Sequence, residues 1–289
     1  MRFKKLSLMD WKKFVFYAMF LTMIILQVLN ESNNLTPDGI DEVVFAKLSQ
    51  QIVNIGTIQG FFDVLANEHE IKSAAFIGLQ VLLKVHETIA YTRALNIVLI
   101  LLIMLMMYDM TKRKEVLLFP LIPWFLNSLW LTNEIVEVFF VIVSIRFIQY
   151  SGFLIGIATV LRPWALVYTM LLKRNQIKYV LAVGLVYVMI LLYYNSFFVY
   201  LDIVLNYSVA RIGPSDYVAT FFLIFFLFIG YKTPMFKYGI VSMLCLLTKL
   251  SYHYFIPVYT FFFFGYLLEL SLKKPTKSQI NAYENLYET

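Results

Sequence analysis

Charged side chains are scarce in this chain: 15% of its 289 residues, against about a quarter in a soluble domain. Cysteine is nearly absent. Its single example, Cys245, lies inside an apolar run, which excludes an internal disulfide framework and reads as a small buried hydrophobe. No small-residue cleavage site follows the first apolar run, so that run reads as a retained span. Internal repeats are lacking, and no polar stretch is long enough for a separate soluble domain. What fills the chain is hydrocarbon: 61% of residues are hydrophobic and the mean hydropathy is +0.74. The composition is that of an integral membrane protein. The net charge of +6 sits in short clusters between apolar runs, which encodes topology and speaks against nucleic acid as a partner.

A helix needs about 20 apolar residues to cross hydrocarbon, and short Lys/Arg-rich loops stay in the cytoplasm. Arg2, Lys4, Lys5, Lys12 and Lys13 therefore hold the N-terminus inside, and a first span over 14–29 leads out. Residues 30–92 form an outer loop with amphipathic helices, in which 74–86, bearing Lys84 and His86, lies in the interface and does not cross. Spans follow inward over 94–108, outward over 115–131 and inward over 135–148. Arg146 and Lys173-Arg174 both belong inside, yet only one span's length separates them. Two half-helices turning at Arg162-Pro163 resolve the conflict, because proline lacks a backbone donor and pushes the preceding residue out of helical conformation. Residues 179–194 then cross outward, 196–216 form an outer loop, and 217–231, 238–252 and 254–272 complete the bundle. Residues 275–289 form a cytoplasmic tail, and the Asn-x-Ser/Thr patterns at Asn30, Asn34 and Asn206 all fall outside. The expected fold is all-α: one polytopic transmembrane domain over 1–289, with about ten segments and both termini cytoplasmic.

Several motifs fall into a known layout. An acidic outer loop, "LTPDGIDEVVFAKL" (35–48), precedes an amphipathic helix and a span opened by Thr92-Arg93. A basic turn, a proline-bearing span, a short outer turn with Glu134, and "SGFLIGIATVLRPWALVYTMLL" (151–172) follow, the last of the form G-x-x-x-G-x-A-x-x-x-R-P. This layout, over roughly 10–175, resembles the GT-C superfamily of polyprenyl-phosphate-sugar-dependent membrane glycosyltransferases. The chain is shorter than is usual there, and Asp38 and Asp41 stand three apart with Glu42 beside the second, where the family often carries Asp-x-Asp.

The resemblance implies an inverting sugar transfer from a polyprenyl-phosphate or similar lipid-phosphate donor to a glycan, lipid or protein acceptor, at the extracytoplasmic face of the cell membrane. Such chemistry needs a carboxylate to accept the acceptor hydroxyl's proton, or to hold a divalent ion against the departing phosphate. By resemblance, Asp38 or Asp41 is the base or the contact to a divalent cation (Mg or Mn), with Glu42 beside them and Glu134 as the second acidic group. From the residues alone, Asp38 equally suits a helix cap in a solvated loop, and both readings stay open. Glu137 lies one turn deeper, where an unpaired carboxylate is costly, so it faces protein or water. Positive charge for the donor phosphate is available from Arg162, Lys249, His253 and Arg211. Lys249 also reads as a snorkelling lysine and His253 as part of an aromatic belt.

A transporter would share broken helices and intramembrane charge, but would place matching interruptions in two halves, which this chain does not. A membrane cysteine transpeptidase would need small residues around its nucleophile, which "SMLCLLTKL" around Cys245 does not supply. A noncatalytic subunit with the same scaffold is the third alternative. The topology gives the first prediction: cysteines placed at Ser49 and Ser278 label from opposite faces, and labelling from one face would overturn the scheme.

Overall fold

A computed structural model describes residues 8–32, 40–68, 70, 73–83, 89–126, 133–205, 214–247 and 255–272. Every regular element among them is a helix, in this order: α1 (Leu8–Ser32), α2 (Ile40–Ile55), α3 (Ile58–Asn67), α4 (Ala74–Leu82), α5 (Ile89–Thr111), α6 (Leu121–Phe125), α7 (Asn133–Arg146), α8 (Ser151–Leu161), α9 (Arg174–Tyr193), α10 (Phe197–Leu205), α11 (Pro214–Gly230), α12 (Phe236–Met243) and α13 (Phe255–Leu272). Segments Lys114–Leu118, Ile148–Tyr150, Pro163–Leu171 and Leu244–Leu247 are 3₁₀. Three helical stretches among the described residues are long and apolar enough to cross a membrane: Arg93–Thr111, Arg174–Tyr193 and Phe255–Leu272. A fourth crossing arises if α7 and α8, bent by 120° at their junction, count as one span.

The chain divides into two compact units. One comprises 1–36, 107–128 and 210–288; the other comprises 37–106 and 129–209. In the first, α1 turns Phe16, Met19, Phe20 and Met23 inward, a stripe at helical spacing. Phe16 meets Phe263 and Tyr266 of α13, and Phe20 meets Phe226 of α11. The apolar run of α13 has no polar face, and it is buried on all sides accordingly. The Tyr259 hydroxyl donates to the Ala219 carbonyl, and its ring stacks on Phe226. Gly239 and Gly230 face the Phe262 ring, which leaves no room for a side chain at either. Lys12, expected as a free topogenic cation, is instead buried: its Nζ lies 2.8 Å from Glu269 Oε2 and donates to the Tyr231 carbonyl at 2.6 Å.

The expected outward span over 115–131 is, within the described residues, a 3₁₀ turn and the five-residue α6. Pro120 and Pro123 each remove a backbone donor, which a first helical turn tolerates but a longer helix does not. Likewise 238–252 holds only the eight-residue α12, begun at Phe236, and four residues of 3₁₀ before the description ends at 247.

The second unit carries the region of interest. Leu48 and Ile52 of α2, Phe62 and Leu65 of α3, Ala74 and Ile77 of α4, and Leu191 of α9 form one core. Phe76 of α4, Val136 of α7 and Leu161 of α8 form another. The segment expected to lie along the membrane interface at 74–86 is thus, over α4, wedged between two cores, because it is apolar on both sides. Part of the stretch expected as an outer loop at 196–216 is α10, with Phe197, Val199, Tyr200 and Ile203 packed against the first of these cores. Ser49 is fully buried, so the topology label belongs at exposed Gln50.

α8 and α9 run parallel at close range. A side chain at Gly152 would collide with the Gln176 carbonyl oxygen, and one at Gly156 would sit 2.9 Å from Val183 Cβ. Small residues four apart let two helices approach this way within a membrane. The Gly152 N–H donates to Gln176 Oε1 at 3.1 Å, 24 residues on, so the chain must reverse between them. It does so at Arg162-Pro163, where Arg162 is extended (φ −147°, ψ 108°), as steric contact with the proline ring requires. α9, by contrast, exposes Leu181, Leu185, Val186 and Met189, an apolar flank of the kind a bilayer covers. On the second prediction, Gly152→Ala lowers stability by about 1–3 kcal/mol through overpacking. Gly184→Ala on α9, with nothing within 4 Å, gains about 0.5–1 kcal/mol from helix propensity. Thermal unfolding in detergent distinguishes them; equal effects would refute the close approach.

Candidate functional site

The site is built where the start of α7, the end of α8 and the following 3₁₀ segment meet. Glu134 stands in the first turn of α7, where the helix dipole favours a carboxylate. Glu137, one turn on, shares its face. Because α7 and α8 fold back on each other, the residue after α8 returns to the level of Glu134. That residue is Arg162. Its Nη1 donates to Glu137 Oε2, and its Nη2 lies 3.3 Å from Glu134 Oε1. Tyr168, buried on the 3₁₀ segment, stands beside the Glu137 carboxylate.

Burial grades these groups. Glu137 is 0% exposed, Arg162 3% and Glu134 8%, so the outer edge of the cluster is Glu134. An isolated charge at this depth costs several kcal/mol; the cluster offsets that cost by placing one guanidinium between two carboxylates. Val136 and Leu161, the neighbours in sequence of Glu137 and Arg162, pack with Phe76 of α4. The arrangement fixes a partly accessible carboxylate against a positioned arginine.

Of the expected site residues, the structure brings together Glu134 and Arg162. Asp41 and Glu42 fall in the first turn of α2, in the same unit, with their side chains outside what is described. Asp38, Arg211, Lys249 and His253 lie outside the described residues. Arg162 was expected to face a donor phosphate as an available cation; it is engaged by Glu137 and Glu134. Tyr168 escaped the sequence reading, its only signal being a phenol six residues after Arg162 in a mostly apolar stretch. Among the described residues no three His, Cys, Asp or Glu side chains converge as metal ligands, and Glu134 and Glu137 are held by Arg162. The described cluster does not fit a divalent cation.

The third prediction follows from the pairing. Glu137→Gln leaves the Arg162 charge buried against a neutral group and costs about 3–5 kcal/mol, read as a lowered unfolding midpoint in detergent. Arg162→Ala strands Glu137 and costs a similar amount, so it does not isolate donor binding. A double Glu137→Gln/Arg162→Gln variant recovers part of the loss; strict additivity would refute the pairing. Compared with known proteins, the chain matches no protein-family model, no curated protein and no solved structure.

Proposed function

We propose that this chain is a membrane glycosyltransferase that moves a sugar from a polyprenyl-phosphate, or a similar lipid-phosphate, to a glycan, lipid or protein acceptor at the outer face of the bilayer. The observation that supports this most directly is the graded cluster, with Glu134 at its accessible edge and Arg162 held beside it by the deeply buried Glu137. The layout resemblance to GT-C enzymes, which place an acidic group on this turn, supports it independently.

In this reading the lipid tail stays in hydrocarbon, so the donor phosphate and anomeric carbon lie near headgroup depth. The Glu134 contact to Nη2, at 3.3 Å, is longer than a charge-assisted hydrogen bond of about 2.7–2.9 Å. A donor phosphate arriving there takes over Nη2, while Glu137 and Tyr168 keep the guanidinium in place. Glu134 is then released to accept the acceptor hydroxyl's proton as the oxygen attacks the anomeric carbon. The carbon–phosphate-oxygen bond breaks, and its electron pair leaves on the lipid phosphate, whose charge Arg162 balances. Asp38, Asp41 and Glu42 on the preceding segment are the alternative base or a metal contact.

A second reading is favoured by one observation. The firmest partner of Arg162 is the fully buried Glu137, and a structural ion pair in a noncatalytic subunit needs nothing more. The fourth prediction separates the two. With purified protein in liposomes and a radiolabelled polyprenyl-phosphate sugar, Glu134→Gln loses about 10² to 10⁴ in transfer rate while folding and donor retention persist. Asp38→Asn and Asp41→Asn, made singly, identify the base if Glu134 is not it. Wild-type transfer in all three would refute these carboxylates as the base, and no transfer by the purified wild type would leave the subunit reading standing.

A further inference from the structure

The turn between α2 and α3 leaves two apolar stripes unfinished. On α2, Leu48 and Ile52 are buried in the core they share with Leu191 of α9, and the same stripe ends one turn later at Ile55, 44% exposed. On α3, Leu65 and Phe62 are buried in that core, and their stripe ends at Ile58, 63% exposed. Both helices thus carry their core-facing side past the edge of the packed residues, and they do so at the same end. Gly56, at φ +68°, makes the turn between them. The Thr57 hydroxyl then caps α3 by accepting from the Gly60 N–H at 3.1 Å. Val53, Ile55 and Ile58 therefore stand exposed together on one short turn. No Asp, Glu, Lys or Arg occurs between Lys47 and Asp63. Gln59 and Asp63, hydrogen-bonded to each other at 2.8 Å, hold a separate, polar side of α3.

The depth of this turn is set by α9. Phe62 stacks on Tyr194, ring centroids 4.7 Å apart, and Tyr194 directly follows α9, which is long and apolar enough to span a bilayer. α3 therefore lies where a span leaves hydrocarbon. Exposed Tyr193 and Phe198, in ring contact with Tyr194 and Phe197, are aromatic residues of the kind that collect at that depth. We propose that the α2–α3 turn dips into the membrane there. The acyl chains of one leaflet cover Val53, Ile55 and Ile58, continuing the lipid-covered flank of α9, while Gln59 and Asp63 meet headgroups and water. A helix with this division of faces lies with its apolar side about 5–10 Å into the boundary of headgroups and acyl chains. The anchor is separate from the Glu134 cluster and stands whether or not that cluster transfers sugar.

The test uses the full chain, with Cys245→Ser, in phosphatidylcholine vesicles. An environment-sensitive fluorophore is attached to one cysteine at a time: Ile55→Cys, Ile58→Cys or Asp63→Cys. All three positions are exposed, so each labelled variant keeps the unfolding midpoint of the unlabelled chain in detergent. At 55 and 58 the emission lies to the blue of that at 63, nitroxide-bearing lipids quench it, and aqueous iodide does not. The nitroxide depth profile puts both probes about 5–10 Å below the headgroup boundary. At 63 the order of the two quenchers is reversed. Val53→Cys, on the same surface, supplies the reading if either isoleucine variant lowers the midpoint. Iodide quenching at 55 and 58 as strong as at 63 overturns the proposal, because the turn is then solvated. So does protection from both quenchers, which assigns the cover to a second copy or another protein.

Discussion

One guanidinium holds the second unit in register. Arg162 is linked to Glu137 across 25 residues of sequence and, through its other nitrogen, to Glu134. Charges of this kind cost about 2.5–3.5 kcal/mol each at the centre of a membrane helix on insertion scales. They are tolerable only when they meet, and they meet only if α7 and α8 fold back by the right amount and the chain turns immediately after Leu161. A shift of one residue along either helix would rotate a charge by about 100° away from its partner. The ion pair therefore acts as a registry device, which is the best-attested use of buried charge.

The parts of this arrangement that sequence could show were those with local causes. A proline after an arginine, placed between two basic clusters one span apart, marks a turn whatever the rest of the protein does, and the structure reverses there. The three-residue spacing of Glu134 and Glu137 likewise put both acids on one face. The partners were not legible, because they are tertiary: nothing near Glu137 in sequence announces that an arginine 25 residues later will reach it. The same holds for Lys12 and Glu269. The charge pattern counted Lys12 only as one of the basic residues that hold the N-terminus inside, since a local pattern cannot register a carboxylate on a distant helix. The packing of α4 was not legible either. Its apolar residues face two directions, which looks like weak amphipathicity in one helix and is a wedge between two cores in the folded unit.

The G-x-x-x-G-x-A-x-x-x-R-P stretch serves packing before chemistry. Gly152 and Gly156 are required by the approach of α9, and Ala158 is wholly buried in the packed interior. Most of the motif is therefore packing, and its chemistry is concentrated in a single side chain, Arg162. A resemblance built on such a stretch reports how closely two helices lie before it reports what reaction occurs beside them.

The pairing of α1 with α13 has a temporal consequence. Lys12 and Glu269 are 257 residues apart, so a ribosome working at about 5–20 residues per second makes the carboxylate roughly 13–50 s after the lysine. Throughout that interval α1 holds an ammonium group and a stripe of phenylalanines without their mates, while the whole of 37–209 has already been synthesised. α1 thus reaches its paired state only when the distant helix arrives.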